Sequence, residues 1–111
     1  MEIAKSLYEK DLVNEAESIL NSALASKIVL PSDLTCESNL KPKNIDEDDI
    51  SPSDVIFDIG KKSLEHIKSI INKSSSIFWN GPLGYVEKKP YDNGTIELAK
   101  TIAEHNCFSI I

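Results

Sequence analysis

The hydrophobic positions of the chain alternate between two spacings. Apolar residues recur at helical spacing in residues 11–24, 63–71 and 95–104, which predicts three helices that each pack through one face. Short runs of branched and aromatic residues lie between and after them and predict strands, at residues 27–30, 55–58, 77–80 and 107–111. Helices that alternate with strands indicate an α/β fold.

The order of these elements also predicts the architecture. Strands joined through helices favour right-handed crossovers and a mostly parallel sheet, as in a Rossmann-like three-layer αβα fold. Residues 32–53 break the alternation, because they carry Pro42, Pro52 and an acidic cluster at residues 46–49. We expect a surface connection there, with a short edge strand near residues 34–37.

The predicted sheet is too small for its type. A parallel sheet is stable when both of its faces are covered, and the few helices predicted here cover only part of each face. The last strand, residues 107–111, also has no loop after it, although the loops that follow strands carry the ligand groups of such sheets. We therefore expect a partial domain, truncated at both ends.

Composition and charge argue against several classes of function. Eighteen acidic residues against twelve basic ones give a net charge of −6, and all the basic residues are lysines, which argues against a nucleic-acid partner. The apolar runs are far shorter than the ~20 residues of a membrane span, and the N-terminus lacks the pattern of a secretory signal. Cys36 and Cys107 are too isolated for a disulfide framework or a zinc site. We expect a cytoplasmic protein with no membrane partner.

The most informative segment is the predicted strand that runs into Asn80-Gly-Pro-Leu-Gly84. At the carboxyl edge of an open α/β sheet, such a turn exposes a side-chain amide and backbone amides to a ligand, and Glu87 is of the type that binds ribose hydroxyls. The alternative is a plain surface turn with Trp79 in the core, and spacing alone does not decide between the two. Contact with phosphate is the alternative for Lys88 and Lys89, but we expect both to face solvent.

Several segments together resemble one family. The segments KSLYEKDLVNEAESIL (5–20), KIVLPSD (27–33), FDIGKKSLE (57–65), WNGPLGYVE (79–87) and NGT (93–95) follow the order and spacing found in phosphoglycerate kinases. WNGP is the specific element, and the others support it by their order. The resemblance covers essentially all of residues 1–111 and corresponds to the middle of that enzyme's C-terminal, nucleotide-binding domain.

The resemblance implies a kinase that moves a phosphoryl group between 1,3-bisphosphoglycerate and ADP, giving 3-phosphoglycerate and ATP in glycolysis. Its cofactors would be ATP or ADP with Mg²⁺, and its ligand an adenine nucleotide. By resemblance, Glu87 accepts hydrogen bonds from the ribose, Pro82 forms part of the wall against adenine and ribose, and Asn80 faces the phosphate chain. The other implied nucleotide-binding residues are Gly81 and Gly84, which give the backbone clearance, and Asp58 and Gly60, in the loop beside the base.

The sequence departs from the family pattern at some of these places. Ile56 stands where the family commonly has a glycine that lines the base pocket, and Lys61 replaces a proline. Tyr85 and Val86 replace a small aliphatic residue and a phenylalanine and suggest a repacked apolar wall. The triple-glycine-aspartate loop that holds phosphate and metal in the family would begin after Ile111. We therefore predict no catalytic residue and no metal ligand in this chain, and no kinase activity of the chain alone.

Other interpretations stay open. The chain could be a non-enzymatic α/β remnant that binds nothing, or one piece of a split kinase that acts with the missing parts of the same enzyme. Asp58 and Asp33, each near the end of a predicted strand, could also form the acidic pocket of a phosphoacceptor signalling domain, but such a domain needs a lysine after its last strand.

Overall fold

The computed structural model describes residues 6–111. Its helices are α1 (Val13–Leu20), α2 (Lys61–Ile71) and α3 (Asn93–Glu104), and short 3₁₀ turns occupy Lys10–Leu12, Ala25–Lys27 and Glu47–Asp49. Its strands are β1 (Asp33–Ser38), β2 (Lys41–Asp46), β3 (Val55–Ile59), β4 (Ser76–Phe78) and β5 (Phe108–Ile110). The three helices lie where the apolar stripes predict them, and three of the four predicted strands are present as β3, β4 and β5.

The five strands form two sheets. β2, β1 and β3 make an antiparallel sheet in that order, whereas β4 and β5 make a separate parallel pair. A mixed α/β fold is therefore confirmed. The parallel arrangement expected for most of the sheet is found only between β4 and β5 in the described part of the chain.

The prediction for residues 32–53 is wrong over most of their length. They form a β-hairpin, β1 and β2, rather than a surface connection, and β1 is the central strand of its sheet rather than an edge. Leu34 and Cys36 alternate with polar residues along β1 and point into the core, as a half-buried strand requires. The turn residues Asn39 and Leu40 both have positive φ, 51° and 61°, the conformation of tight hairpin turns.

The strand predicted at residues 27–30 is also wrong. Ile28 is extended, with φ −98° and ψ 127°, but it follows a 3₁₀ turn and pairs with no strand in residues 6–111. Val29 and Leu30 are exposed. Branched residues favour an extended backbone, but a strand also needs a hydrogen-bonded neighbour.

Two apolar clusters hold the fold together. The first lies within the antiparallel sheet, where Ile56 packs against the buried residues Leu34, Cys36, Ile45 and Ile50. The second lies between α2 and α3, and partly buried residues from β3, β4 and the following loop pack on it; its buried members are Leu64, Ile71, Leu98 and Ile102. Trp79 and Leu83 belong to this second cluster, so the start of the WNGP segment is anchored in the core.

The apolar stripe of α1 finds no such partner among the described residues. No residue of α1 is buried, and Ile19 and Leu20 are exposed. None of the helices described in residues 6–111 has the length and the apolar run that a membrane crossing requires.

Candidate functional site

The residues predicted to bind a nucleotide lie mostly on one loop, residues 80–92, which follows β4. The backbone N–H of Tyr85 donates to the carbonyl oxygen of Phe57 in β3 at 2.7 Å. The hydroxyl of Thr95 in α3 accepts from the N–H of Leu83 at 2.8 Å and donates to the carbonyl oxygen of the same residue. These bonds hold the middle of the loop against the middle of β3 and the first turn of α3.

Glycine occupies two positions of this loop, 81 and 84, for different structural reasons. Gly84 has φ +71°, and a Cβ atom there would lie 2.6 Å from Oδ1 of Asp58 and 2.5 Å from the carbonyl oxygen of Tyr91. Gly81 has φ +84°, but a Cβ atom there would meet nothing within 4 Å. Close approach therefore requires glycine at position 84, whereas at position 81 only the backbone conformation favours it.

Asp58, the one buried residue of β3, lies at the N-terminus of α3. Its side chain is 5% exposed, and its carboxylate accepts hydrogen bonds from the N–H of Gly94 and its own neighbour Ile59, both at 2.8 Å. Burial raises the pKa of Asp58, although these two bonds oppose the shift. Because its acceptors are used inside the protein, Asp58 fixes the place where β3, α3 and Gly84 meet.

Gly60 makes room for another buried carboxylate. Its Cβ atom would overlap the carboxyl group of Asp33, which is fully buried at the N-terminus of α2. That carboxylate accepts from the N–H groups of Lys62 and Ser63, at 3.0 and 2.7 Å, and from the side chains of Ser63 and Asn44, at 2.6 and 2.8 Å. Burial alone raises the pKa of Asp33, but the hydrogen bonds outweigh it and lower the pKa to about 2.

The two aspartates therefore do not form a shared acidic pocket. Asp33 is bonded at the N-terminus of α2 and Asp58 at the N-terminus of α3. A phosphoacceptor site needs carboxylates that face a common ligand. Here each one caps a different helix, where it satisfies free N–H groups and interacts favourably with the helix dipole.

An open apolar cavity of about 650 Å³ lies beside Gly84. Its size falls within the range of small-molecule sites. The lining is contributed mainly by β3 and by the loop, and it consists of Leu7, Leu34, Val55, Ile56, Phe57, Asp58, Ile59, Gly84 and Tyr85. Ile56 lines this space without filling it, because part of its side chain packs on the first cluster.

The predicted site residues divide into two groups. Asp58 and Gly84 line the cavity together, whereas Gly60 lies next to Asp33. Asn80, Gly81, Pro82 and Glu87 are exposed on the loop and are not part of the cavity lining. Glu87 sits inside a turn closed by the N–H of Lys88, which donates to the carbonyl oxygen of Tyr85 at 3.1 Å.

Sequence reasoning missed an anchored cluster beside this turn. Lys88, expected to face solvent, forms an ion pair with Glu37 of β1, and its ammonium nitrogen lies 5.3 Å from the ring centre of Phe57. Tyr91 is 1% exposed and its ring centre lies 4.8 Å from that of Phe57. Aromatic residues at positions 57 and 91 were a signal of packing, but nothing in the sequence indicates that Glu37 is their neighbour.

The donor chemistry does not fit a metal ion held by this part of the protein alone. In residues 6–111, no three side chains of His, Cys, Asp or Glu come together as metal ligands. Two buried carboxylates, that of Asp58 in the cavity lining and that of Asp33 at the N-terminus of α2, are already hydrogen-bonded to the protein.

Comparisons with known proteins give a consistent answer. The phosphoglycerate kinase family model matches residues 1–111. The chain is 39% identical over 115 aligned positions to the phosphoglycerate kinase of Wigglesworthia glossinidia brevipalpis, and the match covers 98% of this chain and 28% of that protein. The chain thus spans little more than a quarter of the length of this relative.

Solved structures agree with the sequence comparison. Phosphoglycerate kinase from Coxiella burnetii superposes with a TM-score of 0.89 at 26% identity, over 97% of this chain and 29% of that one. The enzyme from Pyrococcus horikoshii OT3 superposes with a TM-score of 0.81 at 32% identity, over 89% of this chain and 25% of that one. With the family model matching the whole sequence, the chain belongs to the phosphoglycerate kinase family.

Proposed function

We propose that this chain supplies the nucleoside end of the nucleotide site of a phosphoglycerate kinase, as part of its C-terminal, nucleotide-binding domain. The complete enzyme would transfer a phosphoryl group between 1,3-bisphosphoglycerate and ADP in the cytoplasm. One observation carries the proposal: the close approach of Gly84 to Asp58 and Tyr91 holds the loop of residues 80–92 at the edge of the apolar cavity. A pocket with apolar walls and polar groups at its rim is the usual form of such a site.

We assign each part of the nucleoside to a part of this site. Adenine is apolar on both faces and would enter the cavity past Ile56 and Tyr85. Pro82, which is exposed on the loop outside the cavity lining, would cover the base and ribose from the solvent side. The exposed carboxylate of Glu87 would accept hydrogen bonds from the ribose hydroxyls. Asn80, at the start of the loop, would face the phosphate chain.

The phosphates would be held mainly by other parts of the kinase. A helix N-terminus is the ordinary phosphate cradle of α/β proteins. The N-termini of α2 and α3 already hold the carboxylates of Asp33 and Asp58, and the chain carries a net charge of −6, which repels phosphate. Magnesium neutralises phosphate charge when it is bound, and its ligands would lie in those other parts too.

Membership of a larger domain would also explain the exposed apolar surfaces of this chain. In the complete kinase, β4 and β5 would belong to a mostly parallel sheet of a three-layer αβα domain, and further strands and helices would cover α1 and the open faces. The missing parts of the enzyme are thus the expected macromolecular partner, either in one polypeptide or as pieces of a split kinase. Alone, the chain should make no ATP from ADP and 1,3-bisphosphoglycerate above a protein-free blank in a coupled assay.

A second candidate is a non-enzymatic α/β remnant that binds no nucleotide. The filled N-termini of α2 and α3 favour it, because they leave no cradle for phosphate on these helices. The two candidates differ in whether the cavity and Glu87 still bind a nucleoside.

Adenosine titration followed by NMR separates them. We expect the amide signals of Gly84 and Tyr85, which line the cavity, to shift with adenosine. We expect Glu87→Ala to weaken binding about tenfold or more, since a hydrogen bond to a charged group contributes about 1.5–3 kcal/mol. Glu104→Ala is the matched control, because Glu104 is also exposed but lies at the end of α3. Signals that do not move at saturating adenosine, or move equally in Glu87→Ala, would refute the proposed function.

A further inference from the structure

The side chain of Glu37 joins β1 to two residues of the loop that carries Glu87. Its Oε2 accepts a hydrogen bond from the Tyr91 hydroxyl at 2.9 Å and one from the ammonium group of Lys88. The Glu37 side chain is 15% exposed, so its carboxylate is largely shielded from water. One carboxylate oxygen thus anchors the loop at two points, from a strand more than fifty residues away in sequence.

The rings of Phe57 and Tyr91 also contact the Lys88 ammonium group of this junction. The ammonium nitrogen of Lys88 lies 5.3 Å from the ring centre of Phe57 and 5.6 Å from that of Tyr91, within the range of cation–π attraction. Tyr91 itself is 1% exposed. Lys88 is therefore held by a carboxylate and by two ring faces, and its position is restricted although its side chain is 44% exposed.

The backbone connects this junction to Glu87. The N–H of Lys88 donates to the carbonyl oxygen of Tyr85 at 3.1 Å, and the N–H of Tyr91 donates to the carbonyl oxygen of Lys88 at 2.9 Å. Glu87 lies inside the first of these two consecutive turns. Where Lys88 is held therefore decides where the backbone of Glu87 lies.

We infer that Glu37 is a positioning residue for Glu87, an inference that rests on the proposed binding of ribose by Glu87. Glu37 acts in two ways. It fixes the end of the turn through Lys88 and Tyr91, and its charge satisfies the Lys88 ammonium group. With that partner in place, the carboxylate of Glu87 stays free for ribose hydroxyls rather than pairing with the lysine beside it.

A double-mutant cycle in the full 111-residue chain tests this inference. Glu37→Gln, Glu87→Ala and the double variant are titrated with adenosine and with adenine, which lacks the ribose. Glu37→Gln is expected to weaken adenosine binding about fivefold, the upper size of one partly exposed charge pair, and to leave adenine binding unchanged. In the Glu87→Ala background the same substitution should have no effect, because Glu37 acts through Glu87.

Two further variants make the result specific. Lys88→Met removes the other partner of the pair while keeping an aliphatic side chain against Phe57, and it should reproduce the fivefold loss even if Glu37→Gln folds poorly. Asp46→Asn is the matched control, because it breaks the exposed Lys62–Asp46 pair and should change binding of neither ligand.

The outcomes are distinguishable. If wild type binds adenosine and both Glu37→Gln and Lys88→Met bind it equally well, the inference is wrong and the proposed function stands. Equal losses of adenosine and adenine, or a loss that persists with Glu87→Ala, would show a general structural role and also overturn it. If wild type binds no adenosine, the proposed function fails and the inference fails with it.

Discussion

Asp33 and Ser63 hold each other through hydrogen bonds in both directions. Oδ1 of Asp33 accepts from the N–H and the hydroxyl of Ser63, at 2.7 and 2.6 Å, and the hydroxyl oxygen of Ser63 accepts from the N–H of Asp33 at 3.1 Å. Gly60 leaves the space that this arrangement needs. The pair joins the start of β1 to the first turn of α2, and so connects the antiparallel sheet to the helical core.

The first prediction concerns acid stability. The hydrogen bonds outweigh burial and lower the pKa of Asp33 from 3.8 to about 2, so its ionised form contributes stability above pH 4 that is lost as the pH falls through about 2. A shift of this size corresponds to about 2.5 kcal/mol. Asp33→Asn should therefore lower the free energy of unfolding by about 2–3 kcal/mol at pH 7 and by much less at pH 2.

Urea unfolding at both pH values measures this effect. Asp46→Asn is the control, because Asp46 lies on the neighbouring strand in an exposed ion pair that should contribute little. Equal losses for Asp33→Asn at pH 7 and pH 2 would show that the Asp33 charge does not stabilise α2.

The second prediction compares two glycines of the same loop. Both have positive φ, but only Gly84 lies against Asp58 and Tyr91. Gly81→Ala should cost about 1 kcal/mol of stability from backbone strain alone. Gly84→Ala should cost about 3 kcal/mol or more, because the loop must also move away from β3.

Chemical denaturation and the amide spectrum test that comparison. Gly84→Ala should shift the signals of Phe57 and Tyr85, whose backbone hydrogen bond depends on the close approach, whereas Gly81→Ala should leave them in place. Equal costs for the two variants would mean that close packing at Gly84 is not important.

The third prediction concerns association. In and directly after the strand pair β4–β5, Phe78, Phe108 and Ile111 are 76%, 68% and 79% exposed. Exposed apolar residues and open strand edges favour pairing with other chains. The isolated chain should therefore associate as its concentration rises, and Phe108→Ser should reduce this. Leu40→Ser, at a hairpin turn and 88% exposed, should not. Sedimentation velocity over a concentration series measures the effect, and a monomer at every concentration would contradict it.

Part of the fold follows from the sequence because its signals are local. The stripe of Leu64 and Ile71 in α2 and that of Leu98 and Ile102 in α3 predict the two helices that pack on each other. The hairpin is hidden because β2 has a single buried residue, Ile45, and carries Pro42. Its turn, Asn39-Leu40, also lacks the glycine that usually marks positive φ.

The candidate site depends even more than the fold on contacts that the sequence does not indicate. The glycines and the acid of the loop can be selected from WNGPLGYVE, but their contacts cannot. Gly84 meets Asp58, and Glu37 meets Lys88 and Tyr91, only after β1, β3 and the loop come together. Such long-range contacts leave no periodic pattern, so the sequence indicates candidate site residues without indicating their contacts.

The proposed site would recognise a nucleoside rather than its phosphates. The most direct measurement is a comparison of the affinities of adenosine, ADP and ATP for the same chain, with Glu87→Ala in parallel. We expect affinities no tighter than about millimolar, ATP no tighter than adenosine, and adenosine binding about tenfold or more weaker in Glu87→Ala. Micromolar binding of ATP, much tighter than adenosine and indifferent to Glu87→Ala, would contradict this expectation, because the phosphates would then be held by groups other than those described for this site.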